Sequence, residues 1–267
     1  MSSESKPAAV PVPAATILIL RDRPAGPEGG IEVFMVKRHH QIDFVAGALV
    51  FPGGKAAKGD FDPGLGAWMD SPPAWSAEMR ALGACAIREA FEESGILFAR
   101  DQGGAFVSAT RLDTLSHYRE KLEKGAIALS DMLRAEKLRL ACDRLAHFAH
   151  WVTPKNMPRR FDTHFFLAAV PDGHAGSHDG RESVDSVWIR PNDAIEDRKR
   201  WNVIFPTKLN LMKLAKSATA ADAIAAAAAS VPLTVEPWVE SGPNGQVLRI
   251  RDDAGYEQTS ANLREAM

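Results

Sequence analysis

The feature that most limits the fold is a long stretch, Ala77–Ser94, that contains no proline and a single glycine. It consists mainly of good helix formers, and it is followed by Gly95, a residue that commonly ends helices. Three short apolar runs precede it, and turn-forming residues separate them, which is the pattern of buried strands. These runs lie at residues 14–20, 31–36 and 46–51. Early strands followed by a long helix predict an α/β fold with a mixed sheet.

The predicted helix carries three carboxylates on one face. Glu89, Glu92 and Glu93 are spaced at i, i+3 and i+4, which brings their side chains together on a helix. Like charges at this spacing repel by a few tenths of a kcal/mol per pair, and a hard cation such as Mg²⁺ would more than offset that repulsion. The alternative is a solvated helix face on which Arg88 pairs with Glu92 at i, i+4. The helix taken alone favours this alternative.

The composition indicates a globular protein: 45% of the 267 residues are hydrophobic and 25% are charged. The formal net charge of -2 gives no overall basic surplus for nucleic-acid binding. Cys85 and Cys142 are predicted to act as small apolar residues in helix or buried strand. The first 15 residues lack the pattern of a secretory signal, and the alanine-rich stretch at 218–229 is too short to span a membrane. We therefore expect a cytoplasmic protein without a membrane segment.

The rest of the chain is predicted to complete one domain with insertions. Residues 55–76 are rich in proline and glycine and predict an irregular loop. Further strands are expected at 145–152, 161–170 and 183–189, and helices at 112–124, 129–139, 192–200, 207–216 and 218–229. A hairpin is expected between 233–239 and 246–250, with Asn244-Gly245 at its turn. We predict a flexible tail at 1–13, a catalytic domain at 14–205 with insertions near 58–80 and 103–142, and C-terminal helices and a hairpin at 206–267 packed on the same domain.

The segment before the helix changes the interpretation of its charges. Phe51-Pro52-Gly53-Gly54 follows an apolar strand, Asp60 comes six residues after Gly54, and the helix then reads Arg-Glu-Ala-Phe-Glu-Glu-Ser-Gly-Ile. This combination resembles the Nudix box, and the resemblance implies the Nudix fold, an α/β/α sandwich with a mixed sheet. Asp60 stands where the family usually has glutamate, and Ala90 occupies an aliphatic position. Residues 61–87 form a connection 20 residues longer than in the family pattern, which a loop tolerates at modest entropic cost.

The resemblance also implies a metal site and a hydrolytic activity on a diphosphate linkage. The implied ligands of one or more Mg²⁺ or Mn²⁺ ions are Glu89, Glu92, Glu93 and the Gly53 carbonyl. Arg88 would orient Glu89, and Glu89 is the expected general base. Glu182, just before a predicted strand, is either a further acidic ligand or a solvated charge at the strand edge. His174 and His178, in a Gly/Asp-rich loop, are predicted to face solvent rather than to bind metal.

The substrate is suggested by the residues around the box. Residues 34–38, Gly47 and the Phe-Pro-Gly-Gly segment resemble the motif of coenzyme A diphosphatases, and the long connection and the segment at 159–163 are similar to the animal peroxisomal type. The basic residues expected to contact substrate phosphates are Arg38, Arg159 and Arg160. For Trp151 and Phe161, a core position is favoured over stacking on an adenine.

Three functions stay open from the sequence. The first is a diphosphatase that converts coenzyme A or acyl-CoA into 3',5'-ADP and a phosphopantetheine product. The second is hydrolysis of another nucleoside diphosphate derivative, such as ADP-ribose or a dinucleotide. The third is a non-catalytic ligand sensor, against which the retention of all three helix glutamates argues. The expected partner is a small-molecule diphosphate; no nucleic acid or membrane partner is expected, and a homodimer is left open.

Overall fold

The computed structural model of the chain describes residues 8–23, 29–38, 47–181, 183–242 and 245–266. The strands are β1 (Val12–Asp22), β2 (Ile31–Arg38), β3 (Leu49–Val50), β4 (Gly53–Lys55), β5 (Met69–Asp70), β6 (Ala99–Arg100), β7 (Arg139–Ala141), β8 (Ala146–Val152), β9 (Phe161–Ala169), β10 (Ser183–Ile189), β11 (Thr234–Val235), β12 (Trp238–Gly242), β13 (Gly245–Arg249) and β14 (Ser260–Asn262). The α-helices are α1 (Ala77–Ser94), α2 (Ala109–Leu115), α3 (His117–Glu123), α4 (Leu129–Glu136), α5 (Pro191–Glu196), α6 (Phe205–Leu214), α7 (Ala220–Ala228) and α8 (Leu263–Ala266).

A mixed sheet forms the centre of the molecule. Its strand order is β10-β2-β1-β9-β8-β11, with β3 paired to β2 and β4 paired to β1. The β1–β9 and β8–β11 pairs are parallel, whereas the other pairs are antiparallel. Strands β12, β13 and β14 form a second sheet, and β5, β7 and β6 form a third.

Helices cover both faces of the central sheet. One face, with Ile17 and Phe34, packs against α1 and the helices α2 to α4 that follow it. The other face, with Leu18 and Met35, packs against α5, α6, α7 and the C-terminal hairpin. Alternating residues of a strand point to opposite faces, so β1 and β2 contribute to both cores. The predicted α/β sandwich with a mixed sheet is therefore confirmed.

Helix α1 has the predicted bounds and the predicted C-terminal cap, and a serine caps its first turn. The Ser76 hydroxyl accepts a hydrogen bond of 3.1 Å from the Met79 amide at the first turn. Gly95 ends the helix at φ 70°, and its amide donates to the Phe91 carbonyl. Glycine adopts this left-handed conformation without the steric cost of a Cβ atom. The helix begins and ends where these local signals place it.

Several other elements differ from the sequence prediction. The single helix expected at 112–124 is two helices, because the Ser116 hydroxyl donates to the Asp113 carbonyl and so competes with the helical pattern at the junction. The expected strand at 46–51 shortens to Leu49–Val50. Residues 55–76 contain two 3₁₀ turns and β5 instead of only irregular loop.

The C-terminal part contains the expected helices and an antiparallel hairpin. The hairpin strands are Trp238–Gly242 and Gly245–Arg249, so the first begins later than predicted. Of the expected turn pair, Asn244 lies outside the described residues. In the part of the chain that the structure describes, no helix combines the length and the apolar character needed to cross a bilayer.

Candidate active site

Two consecutive glycines bring β4 close to α1 and β1. A Cβ atom on Gly54 would lie 2.6 Å from Glu89 Oε1, and one on Gly53 would lie 2.6 Å from the Ala15 carbonyl oxygen. Both distances are shorter than a van der Waals contact. The obstacle at Gly53 is backbone, so that position requires glycine, whereas a Cβ atom at Gly54 would displace the Glu89 carboxylate. The Gly-Gly pair therefore sets how closely the loop can approach the carboxylate face of the helix.

Arg88 is the centre of a buried ion-pair network. Its Nε atom donates to Asp60 Oδ1 at 3.0 Å, and one of its Nη atoms donates to Asp60 Oδ2 at 2.9 Å. Asp60 also accepts from the Ala57 amide at 2.8 Å, which holds its carboxylate in place. The aspartate that replaces the family's usual glutamate thus contacts the arginine of the box, in spite of the long connection between them.

The other Nη atom of Arg88 joins two of the helix glutamates. It donates to Glu89 Oε1 at 2.8 Å and to Glu92 Oε2 at 3.0 Å. All three side chains are largely buried, and the neighbouring carboxylates raise the pKa of Arg88 although burial opposes this shift. Because the network is buried, the alternative of a solvated helix face is wrong.

Glu92 has one oxygen without a hydrogen-bond partner. Its Oε1 atom is buried, and no group in the described residues donates to it. Burial raises the pKa of Glu92 to about 8, and this effect outweighs the attraction of Arg88. Glu93 lies beside it, and its Oε2 atom accepts from the Gly53 amide at 3.2 Å. An unpartnered buried carboxylate oxygen is well suited to a hard divalent cation.

The three glutamates fit such a cation without forming a closed cage. Among the described residues, their donor atoms are not all within 4.8 Å of one another. Mg²⁺ is commonly held by one or two carboxylates together with waters and substrate phosphates, so a compact protein cage is not required. The oxygen donor set and the unpartnered Glu92 atom therefore both fit Mg²⁺ or Mn²⁺.

A cavity of about 1040 Å³ opens over the network. Its floor includes Glu89 and Glu92, and Arg38 and Arg159 also line it. The Arg38 Nε atom is buried and has no hydrogen-bond acceptor among the described residues. The cavity is slightly larger than the usual small-molecule site, about 300–1,000 Å³, so a large ligand can fit.

The predicted site residues fall into three groups. The residues that line the cavity are Gly53, Arg88, Glu89, Glu92, Arg38 and Arg159. Glu93, whose carboxylate accepts from the Gly53 amide, and Arg160 lie outside the cavity lining. Glu182 is outside the described residues.

Arg160 does not have the expected position. It is buried, and its guanidinium donates to the Thr153 and Ala9 carbonyls and to Glu236. It does not line the cavity, and these three acceptors hold its guanidinium group instead. Its predicted contact with substrate phosphates is not supported, and its contacts instead join β9 to the segment before β12.

The predictions for the aromatic and histidine residues agree with the structure in part. Trp151 is buried in the core, as predicted, and its indole N–H donates to the Tyr256 hydroxyl. Phe161, for which a core position was favoured, instead lines the cavity and is half-buried. His174 is buried, with Nε2 2.7 Å from the Val107 carbonyl oxygen, which corrects its predicted solvent-facing position. His178 is half-buried against Ser186.

Sequence reasoning missed the wall that α3 and the following loop contribute to the cavity. Leu122 and Ile127 add apolar surface there, and Glu123 forms an ion pair of 2.7 Å with Arg181. Arg119 of the same helix donates to the Glu92 and Glu93 carbonyls at the end of α1. No local motif marks these residues, because their position depends on how the insertion folds back over the box.

Comparison with known proteins supports the assignment of the family. The model of the NUDT19 Nudix domain matches residues 76–209, about half of the chain. Acyl-coenzyme A diphosphatase NUDT19 of Xenopus laevis is 29% identical over 215 residues, which cover 66% of this chain and 57% of the relative. The protein of the same name from Gallus gallus is 28% identical over 212 residues, 62% of this chain and 55% of the relative. The chain thus spans little more than half the length of these relatives.

A solved structure extends the similarity to most of the fold. The crystal structure of a Nudix hydrolase from Alicyclobacillus acidocaldarius matches with a TM-score of 0.69 and 30% identity. The match covers 81% of this chain and 96% of that protein. Together with the buried Arg88 and Glu89 network, these similarities confirm the resemblance inferred from the box: this chain belongs to the Nudix hydrolase family.

Proposed function

We propose that this protein is a metal-dependent diphosphatase that cleaves coenzyme A or acyl-CoA into 3',5'-ADP and (acyl-)phosphopantetheine. The observation that carries the proposal is the Glu92 carboxylate, buried in the cavity floor with one oxygen unpartnered among the described residues. Glu89 lies beside it, bound through Arg88. A carboxylate cluster at the base of a large cavity is suited to phosphate chemistry that needs a cation.

The residues have separate roles in this proposal. Glu89 and Glu92 would hold Mg²⁺ or Mn²⁺, with Glu93 and the Gly53 carbonyl as further ligands. When bound, the cation supplies charge neutralisation for the diphosphate and lowers the pKa of a bound water. Arg88 orients Glu89, with 2.8 Å between its Nη atom and Oε1. Glu89 then accepts the proton of the attacking water as the new P–O bond forms and the bridging P–O bond breaks.

The cavity lining supports a coenzyme A type of ligand. Arg38 and Arg159 offer guanidinium groups for phosphate oxygens, a pairing that is often bidentate. Leu122 and Ile127 give another wall an apolar character that suits a pantetheine or acyl chain. Two relatives carry the name acyl-coenzyme A diphosphatase, in agreement with this assignment.

Two alternatives remain to be distinguished by experiment. A nucleoside diphosphate derivative such as ADP-ribose or a dinucleotide would use the same carboxylates and arginines. A non-catalytic sensor would bind such a ligand without turnover, but retention of the whole Arg88 network favours an enzyme. The cytoplasmic location and the possibility of a homodimer remain predictions from the sequence.

The first test is a substrate panel. The purified full chain is incubated with Mg²⁺ or Mn²⁺ and with coenzyme A, several acyl-CoAs, ADP-ribose and a dinucleotide, and products are separated by chromatography. We expect 3',5'-ADP from the coenzyme A species. Turnover of only ADP-ribose or the dinucleotide would favour the second function, and binding without turnover of any compound would favour the sensor.

The second test addresses the site itself. Glu92→Gln keeps the shape of the side chain but removes its charge, so we expect hydrolysis to fall by at least about 100-fold, as when a group that stabilises transition-state charge is lost. Glu78→Gln is the matched control, because Glu78 lies exposed on the first turn of the same helix. Equal activity of the two variants would show that the carboxylate cluster is not the metal site.

A further inference from the structure

A second cluster of candidate metal ligands lies on β8 and β9, near one edge of the central sheet. His150 on β8 and Asp162 and His164 on β9 each offer a donor atom, and these atoms all lie within 4.8 Å of one another. The His150 and His164 rings are stacked with centroids 4.0 Å apart. A third ring, that of His147, stacks on His164 at 5.0 Å. Among the described residues, no other three His, Cys, Asp or Glu side chains have donor atoms this close together.

In both His150 and His164, the Nε2 atom lies toward Asp162 and the Nδ1 atom contacts another side chain. The Nε2 atom of His150 contacts Asp162 Oδ1, and the Nε2 atom of His164 lies 3.9 Å from the same oxygen. The Nδ1 atom of each ring faces away and has its own partner. For His150 this is Thr234 Oγ1 at 2.8 Å, and for His164 it is His147 Nε2 at 3.1 Å. A metal-bound histidine usually makes this kind of contact through its second nitrogen, which fixes the ring orientation.

This cluster is separate from the candidate active site. Along β9, Phe161 and Thr163 line the cavity, whereas Asp162 and His164 alternate with them. Successive side chains of a strand point to opposite sides, so Asp162 and His164 point away from the side of β9 that lines the cavity. His147 packs against Phe166, which belongs to the core under α1, so the cluster lies on the sheet face that carries α1. None of the cluster residues lines the cavity.

We propose that His150, His164 and Asp162 form a second cation site, for a borderline-soft divalent transition metal such as Zn²⁺. Two imidazole nitrogens and one carboxylate are a common ligand set for Zn²⁺, whereas Mg²⁺ prefers oxygen ligands only. The side chain of Asp162 is 40% exposed, so solvent reaches the site and water can complete a four-coordinate geometry.

The proposed ion would hold the edge of the sheet together. It would bridge β8 and β9 directly, and through Thr234 it would stabilise β11, the strand that the C-terminal segment adds to the sheet. Phe161 and Thr163 belong to the same strand as two ligands, so the ion would also stiffen one wall of the cavity. This role is structural and does not depend on the proposed hydrolytic activity.

The test is metal binding by the metal-stripped full chain, measured with Zn²⁺ by chelator competition and with Co²⁺ by visible absorption. Glu92→Gln serves as the background, because it removes a carboxylate of the other site. We expect one tightly bound Zn²⁺ per chain in this background. We also expect the intense absorption bands of four-coordinate Co²⁺, and Zn–N distances of about 2.0–2.1 Å by X-ray absorption.

Variants of the cluster decide the assignment. His150→Gln and His164→Gln should each weaken Zn²⁺ binding more than 100-fold, and His147→Gln should weaken it by about 10–100-fold as a residue that orients a ligand. His117→Gln, an exposed histidine on α3, is the matched control and should bind normally. Circular dichroism checks that each variant is folded. If a histidine variant does not fold, Asp162→Asn tests the same site through its third ligand. Unchanged Zn²⁺ affinity in all the cluster variants, or no tight Zn²⁺ binding in the background protein, would overturn the proposal.

Discussion

Replacing Arg88 with lysine tests whether the guanidinium geometry, and not only its charge, holds the active-site carboxylates. The arginine donates hydrogen bonds to five oxygen atoms: both carboxylate oxygens of Asp60, one oxygen each of Glu89 and Glu92, and the Lys55 carbonyl. These bonds leave from three nitrogen atoms that point in different directions. A lysine ammonium has three donors on one nitrogen, so at least two of the five bonds are lost.

The expected cost follows from this count. A hydrogen bond to a charged group contributes about 1.5–3 kcal/mol, so two lost bonds at the lower end give a destabilisation of about 3 kcal/mol. The control is Arg80→Lys on the same helix, where the guanidinium donates a hydrogen bond of 2.9 Å to the Trp75 carbonyl. One such bond at a partly exposed position is worth about 0.5–1.5 kcal/mol. The two substitutions should therefore differ by about 2 kcal/mol.

The assay is equilibrium unfolding in urea with EDTA present, followed by tryptophan fluorescence. EDTA removes the contribution of any bound cation, so the measured difference reports the protein contacts alone. Hydrolysis should also fall by about 100-fold for Arg88→Lys, because Glu89 loses the contact that orients it. If Arg88→Lys destabilises the protein no more than Arg80→Lys, the guanidinium fork does not hold the network.

The other predictions address charge, shape and the C-terminal contact. Because the folded-state pKa of Glu92, about 8, lies above its unfolded value of 4.5, the folded metal-free protein binds more protons, and its stability should fall as pH rises through this window. Urea unfolding of Glu92→Gln should lack this slope, and an unchanged slope would contradict the shift. Gly54→Ala places a Cβ atom 2.6 Å from a site carboxylate and should lower kcat about 100-fold, whereas Gly59→Ala, with open space around it, should not. Tyr256→Phe leaves the buried Trp151 Nε1–H without its acceptor and should cost about 1–3 kcal/mol in thermal or urea unfolding; a cost near zero would refute this contact.

The part of the fold that local signals encode was predictable. Helix α1 begins after a capping serine and ends at Gly95, and strand β10 has the predicted bounds, because capping and hydrophobic periodicity act over a few residues. The Gly53-Gly54 pair and the Arg-Glu-x-x-Glu-Glu pattern likewise identified the family. Less regular segments, such as residues 55–76, were harder to predict, since their short 3₁₀ turns depend on tertiary contacts more than on propensity.

Within the candidate site, the sequence determined which residues carry the charge, and only the tertiary structure decided what surrounds them. The carboxylates of α1 could equally have formed a solvated face, until Asp60 and the glycines of β4 packed over them. Arg159 and Arg160 are adjacent and chemically identical, but one lines the cavity while the other is bound by backbone carbonyls. Spacing along the chain determines which side chains share a helix face, whereas burial, pKa and access to a ligand depend on contacts between distant segments.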